Sequence, residues 1–149
     1  MKKLFTFLFI FFCISLAFSS RAQELVTTER ALSVDETVQK VTNTVEELGM
    51  KIIAHINHAQ AASKKNMQIP PTQVLIFGNL EVGTQLMHDD PRSGLDLPLR
   101  VLVWEENGTT YLSYRDPAYL QETFDLENKN ELIAKIQNTM QQITEESTQ

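Results

Sequence analysis

The dipeptide Asn107-Gly108 constrains this chain more than any other feature, because it sits between two β-forming runs, Leu99 to Glu106 and Thr109 to Arg115. A two-residue hairpin whose twist matches its strands needs a type I′ turn with positive φ at both central positions, and Asn-Gly adopts it most readily. The turn fixes the register. Glu106 pairs with Thr109, so Trp104 faces Tyr111, Leu102 faces Ser113 and Arg100 faces Arg115. Side chains alternate along a strand, so Leu99, Val101, Val103, Leu112 and Tyr114 share the opposite face, which is the core face. Asn107-Gly108-Thr109 also matches an N-glycosylation sequon, but the backbone demand of the turn explains these residues without a glycan.

Upstream, Glu24 to Leu32 reads as a first strand. Ser33-Val34-Asp35-Glu36 fits a capping box, and Val34, Val38, Val41, Val45 and Leu48 recur at steps of four and three before Gly49, which predicts an amphipathic helix. Met50 to Ile56 alternates, with Met50, Ile52, Ala54 and Ile56 on one face. Asn57 caps a short helix from His58, and Pro70-Pro71 breaks the chain beyond it. Gln73 to Phe77 is a continuous apolar run, read as a central strand buried on both faces. Asn79 caps a helix carrying Leu80, Val82, Leu86 and Met87, in which Gly83 costs about 1 kcal/mol relative to alanine. Asp89 to Gly94 is expected to be a loop. Asp116-Pro117 opens a helical turn through Tyr119 and Leu120. A last helix carries Leu132, Ile136, Met140 and Ile143, with Thr144 to Gln149 expected to fray.

No linker, repeat or low-complexity stretch interrupts this pattern. The expected fold is α+β: a single compact domain, a mixed or antiparallel sheet of about five strands with helices packed on it, and a C-terminal β-hairpin followed by a helix. The element order is β-α-β-α-β-α-β-β-α.

The N-terminus reads as an address. Met1-Lys2-Lys3 is positive, Leu4 to Phe18 is almost wholly apolar, and Ser20-Arg21-Ala22 supplies small residues for a signal peptidase, so residues 1–22 are expected to be a signal peptide and 23–149 the domain. Fifteen apolar residues fall short of the roughly 20 that a spanning helix needs. The expected location is periplasmic or extracellular, with no membrane association after cleavage. Loss of Lys2, Lys3 and Arg21 leaves 10 basic residues against 19 acidic ones, moving the formal charge from −6 to −9. Such a surface repels phosphate backbones and argues against nucleic acid as a partner. The only cysteine, Cys13, leaves with the signal, which excludes a disulfide, a thiolate metal site and a thiol nucleophile in the domain.

Several blocks together resemble the domain of unknown function 302 family. They are Gly49-Met50, Ile56-Asn57-His58-Ala59, Pro71-Thr72 with Val74-Leu75-Ile76-Phe77-Gly78-Asn79, Gly83-Thr84, Leu86-Met87, Asp96-Leu97-Pro98-Leu99-Arg100-Val101-Leu102-Val103-Trp104-Glu105, and Ser113-Tyr114 with Asp116-Pro117 and Tyr119-Leu120. The resemblance runs from about Glu36 to Leu120. It implies a small α+β domain, often alone in its chain and able to pair with itself, and it attaches no activity or cofactor. The family pattern usually has Asp before the histidine where this chain has Asn57, and asparagine serves equally as a helix cap.

Two opposed arginines repel unless a carboxylate, an anion or water relieves them. Arg100 and Arg115, beside Trp104, Tyr111 and Leu102, are therefore candidates for binding a small anionic ligand, with Asp96 or Asp116 as the internal neutralising alternative. The same face also fits a homodimer contact, since aromatic residues and arginine are enriched at interface centres, or burial under a helix. His58 completes the ligand-binding candidates and would be the general base if the chain were a hydrolase or isomerase acting on an anionic metabolite. His55 and His58, with His88, Asp89 and Asp90, or with Met50, Met67 and Met87 for copper, form the metal-binding alternative. No GxSxG, SxxK or glycine-rich phosphate loop is present, so the reading favours a non-enzymatic binding module without a cofactor.

Overall fold

The hairpin closes as its turn residues require. In the computed structural model, which describes residues 25–147, Asn107 and Gly108 take φ of 52° and 81°. Glu106 lies opposite Thr109, Trp104 opposite Tyr111 and Leu102 opposite Ser113. The ladder ends there, two pairs short of Arg100 and Arg115. Each arginine finds its ladder partner on its outer neighbour instead, Arg100 opposite Ile76 and Arg115 opposite Leu25. Pro98 and Pro117, which have no N–H to donate, flank these strand ends.

The elements run β1 (Leu25–Arg30), α1 (Val34–Glu47), β2 (Lys51–Asn57), α2 (His58–Ser63), β3 (Thr72–Gly78), α3 (Leu80–Asp89), a 3-10 helix (Pro91–Leu95), β4 (Leu99–Glu106), β5 (Thr109–Arg115), α4 (Tyr119–Thr123) and α5 (Asn130–Glu146). The sheet is antiparallel in the order β1-β5-β4-β3-β2. This is the α+β domain that the sequence predicts. The signal peptide expected at residues 1–22 lies outside the described residues.

One face of the sheet is covered. The capping box forms, with the Ser33 side chain accepting from the Glu36 N–H and the Glu36 side chain accepting from the Ser33 N–H, and it starts α1 so that Val34, Val38, Val41 and Val45 point at the sheet. They pack on Leu75, Phe77, Val101, Val103 and Leu112, and Met140 and Ile143 of α5 close the same cluster. A second cluster, with Leu86, Tyr119, Leu120, Ile133 and Ile136, joins α3, α4 and α5. Neither cluster draws a side chain from the face that carries Val74, Ile76, Leu102 and Trp104, and none of these four is fully buried.

Four expectations change. The centre of the sheet is β4, and β3 alternates between buried Gln73, Leu75 and Phe77 and half-buried Val74 and Ile76; a continuous apolar run carries no period to reveal that its second face lacks a cover. The β2 alternation breaks at a bulge between Ile52 and Ala54, so Ile52 joins the core beside Phe77 while Ala54 and Ile56 cross to the other face opposite Ile76 and Val74. The expected loop after Asp89 contains a 3-10 helix, because the Asp90 side chain accepts from the Arg92 N–H with Pro91 at the first position. The last turn of α5 is packed: Thr144 and Ser147 are buried.

The reason for that packing is Arg30. Its side chain is only 6% exposed, and Nη2 donates to the Thr144 carbonyl at 3.1 Å while Nη1 donates to the Glu29 carbonyl at 2.9 Å. A cation at the C-terminal end of a helix is favoured by the helix dipole, whereas burial pulls the Arg30 pKa down. Arg30→Met, which keeps the aliphatic bulk and removes both charged hydrogen bonds, is expected to lower stability by about 2 kcal/mol. Urea denaturation checks this, and an unchanged midpoint contradicts it.

Candidate functional site

The face that the described residues leave uncovered is built around the hairpin. The Trp104 and Tyr111 rings stack with centroids 4.8 Å apart and planes 27° from parallel. Trp104 Nε1 donates to Ser113 Oγ at 2.9 Å, and Ser113 Oγ lies 2.9 Å from Thr27 Oγ1. The indole is thus fixed by a hydrogen bond on one side and a ring on the other, and its polar atom is satisfied. Beside it run Leu102, Val74, Ile76 and Ile56, an apolar strip across three strands.

At the end of the strip where Arg100 and Arg115 stand, a cavity of about 280 Å³ opens between Leu25, Asp96, Arg100, Leu102, Arg115 and Tyr119. Arg100 Nη2 donates to the Leu95 carbonyl at 3.2 Å and lies 4.0 Å from Asp96 Oδ1. That ion pair is long and solvent-accessible, and such pairs hold a charge only weakly. The Arg115 guanidinium sits 5.8 Å from the centroid of the Tyr119 ring, within the range of a cation–π contact. Asp116, the other proposed neutralising carboxylate, is engaged in structure: its Oδ1 accepts from the Ala118 N–H and from Gln137 Nε2.

Tyr119 belongs to this cavity although the sequence pattern marks it only as part of a helical turn. Burial pushes its phenol up to about 12, with Asp96 adding to the shift and Arg115 and Arg100 opposing it. The phenol is therefore a neutral donor at physiological pH. Its i+4 spacing from Arg115 on the Asp116-Pro117 turn is the one sequence signal that could have found it.

The structure does not bring the histidines to the arginines. His58 is the first residue of α2, after Asn57, which caps that helix and pairs with Gln73. Gln73 pairs with Val103, three residues along β4 from Arg100. At roughly 3.4 Å per residue and roughly 4.8 Å per strand, His58 starts well beyond hydrogen-bond reach of the Arg100 cavity. A His58 base acting with an Arg100 or Arg115 clamp is not assembled. His55 is not paired with His58 either: Nε2 donates to Gln73 Oε1 at 2.7 Å, and Gln73 in turn donates to Asp35.

The remaining metal candidates are dispersed. His88 Nδ1 lies 3.5 Å from Asp89 Oδ1, Asp89 also meets Lys129, and Met67 is exposed. Among the described residues no group of three or more His, Cys, Asp or Glu could hold a metal ion. Asp90 has a structural task. It is 3% exposed, accepts from Arg92 Nη2 at 2.7 Å and Nε at 2.9 Å, and accepts from the Asp125 N–H at 3.0 Å. It ties the 3-10 helix to the segment after α4.

The family model described as Domain of unknown function DUF302 matches residues 26–146. The fluoride-specific ion channel FluC 1 of Brucella suis biovar 1 is 40% identical over 103 residues, which are 68% of this chain and 41% of that protein. The fluoride-specific ion channel FluC 2 of Brucella melitensis biotype 1 is also 40% identical over 103 residues, 38% of its length. The chain thus spans about two fifths of the length of these curated relatives. The crystal structure of an uncharacterized conserved DUF302 protein from Bacillus stearothermophilus matches with a TM-score of 0.76 at 18% identity, over 85% of this chain and 99% of that one. That likeness is one of fold.

The Arg92 side chain, foremost among its donors, holds the Asp90 carboxyl far below its ordinary value of 3.8. A carboxyl depressed by folding contributes stability above that ordinary value and loses it as the pH falls below it. Asp90→Asn is expected to melt several degrees below the parent at pH 7, with the gap narrowing below pH 4. Thermal melts at pH 7 and pH 3 that show the same gap would contradict this.

Proposed function

We propose, starting from the fact that this chain belongs to the DUF302 family, a domain of unknown function, that it is a non-enzymatic binding module working outside the cytoplasm. It pairs with a second copy of itself through the uncovered sheet face and holds a small anion at Arg100 and Arg115. The observation that carries this reading is the uncovered face itself. An apolar strip of Ile56, Val74, Ile76, Leu102 and Trp104 ends at a cavity bearing Arg100 and Arg115, where the contact of Arg100 with Asp96 is long and exposed.

The physical argument for pairing is that a continuous apolar surface in water lowers its free energy when covered, and a two-fold contact covers it with an identical strip. The stacked Trp104 and Tyr111 are anchors of the kind that dominate such contacts. The argument for an anion is charge. Arg100, Arg115 and the neutral Tyr119 phenol stand around one space, and Asp96 meets Arg100 only at 4.0 Å, a long and exposed contact. The names of the curated relatives lend support, since they denote an anion channel, of which this chain matches a part. Among the described residues no helix is long and apolar enough to cross a membrane.

Sedimentation velocity across nanomolar to micromolar concentrations tests the pairing. The parent is expected to move from monomer to dimer, and Leu102→Asp to remain monomeric; a parent that stays monomeric throughout ends that part of the proposal. Calorimetric titration with fluoride, acetate and phosphate tests the other part. Saturable heat is expected with at least one of them and a tenfold or larger loss of affinity in Arg100→Ala, whereas no heat with any anion contradicts it.

A further inference from the structure

A second cavity, of about 440 Å³, lies on the helical side of the sheet, where the β2 edge meets α3 and α5. Its volume is within the roughly 300–1,000 Å³ of small-molecule sites. Leu48, Met50, Val82, Met87, Leu97 and Ile136 line it, and the lips carry Leu80, 85% exposed, and Ile53, 59% exposed. Three features here are not required by the fold.

The β2 bulge is the first. The register shift between Ile52 and Ala54 leaves Ile53 without a partner in the β3 ladder, and it lines the cavity lip. Gly83 is the second. It lies inside α3, where glycine weakens a helix, yet a Cβ there would meet nothing nearer than Met87 Cε at 4.0 Å. Packing therefore does not demand glycine at this position, and the missing side chain would take up space at the cavity wall. The third is charge. Lys51 from β2 and Lys135 from α5 both border the cavity, and neither makes an ion pair among the described residues. In a chain with 19 acidic residues against 13 basic ones, two cations beside a mostly apolar cavity are complementary to an anionic head on an apolar body.

We propose that this cavity binds a single-chain amphiphile with an anionic head, of the chemical class of a medium-chain fatty acid. The alkyl chain lies against Met50, Val82, Met87 and Ile136, and the carboxylate is held by Lys51 and Lys135. The site shares no cation with the Arg100 cavity, so the two readings stand or fall separately.

Titration of the purified protein with dodecanoate, kept below its micelle-forming concentration, is expected to give saturable binding of one molecule per chain. Each methylene removed should weaken binding about fourfold, from the ~0.8 kcal/mol per buried methylene. The double variant Lys51→Gln/Lys135→Gln should lose at least tenfold for dodecanoate. Gly83→Leu, or Thr139→Trp from the α5 side if that variant fails to fold, should abolish binding while keeping a cooperative melt. Arg100→Ala should bind dodecanoate like the parent. The proposal is overturned if dodecanoate gives no saturable binding, if dodecyltrimethylammonium binds as tightly, or if the folded cavity-filling variant binds undiminished.

Discussion

A type I′ turn at Asn107 and Gly108 admits one alignment of β4 and β5, and the division of the sheet into two chemically different faces follows from it. With Glu106 opposite Thr109, alternation sends Val101, Val103 and Leu112 into the helical layer and Leu102, Trp104 and Tyr111 out of it. A slip by one residue would exchange these sets, burying an indole, a phenol and a guanidinium against the valines of α1. The cost of that exchange is what locks the register. The helices then have only one face to cover, and α1 and α5 share it.

The parts of the fold that were legible in the sequence are those set by local chemistry. The capping box at Ser33, the valines of α1 and the Asn-Gly turn each carry their cause within a few residues. What was not legible depends on partners far along the chain. The β2 bulge moves Ala54 and Ile56 to the open face, and no local residue announces it. The buried end of α5 depends on Arg30, 114 residues away from Thr144. The two-faced appearance of Val74 to Phe77 was a correct reading of apolar composition, but the second cover it implies is not supplied by the described residues. The candidate site divides in the same way: Trp104 and Tyr111 were placed by the hairpin alone, whereas Arg100 takes its ladder partner from β3, Tyr119 enters through tertiary packing and His58 is carried to the far end of the strands.

Charge is distributed to match. The chain is acidic overall, yet cationic groups gather at two cavities on opposite sides of the sheet, Arg100 with Arg115 on the open side and Lys51 with Lys135 on the helical side. Acidic residues elsewhere serve structure, as Asp90 does with Arg92, Asp116 with Gln137 and Glu36 with Ser33. Histidine takes a structural part as well, with His55 tied to Gln73. His58, the general-base candidate, starts at the far end of the strands from Arg100.

The central claim is that the Trp104 face is bare in one copy and covered in two. Trp104 is the only tryptophan in the chain, so acrylamide quenching of its fluorescence, followed from nanomolar to micromolar protein, reports on that face alone. The account predicts ready quenching at the lowest concentration and progressive protection as the copies pair. Quenching that does not change with concentration would contradict it.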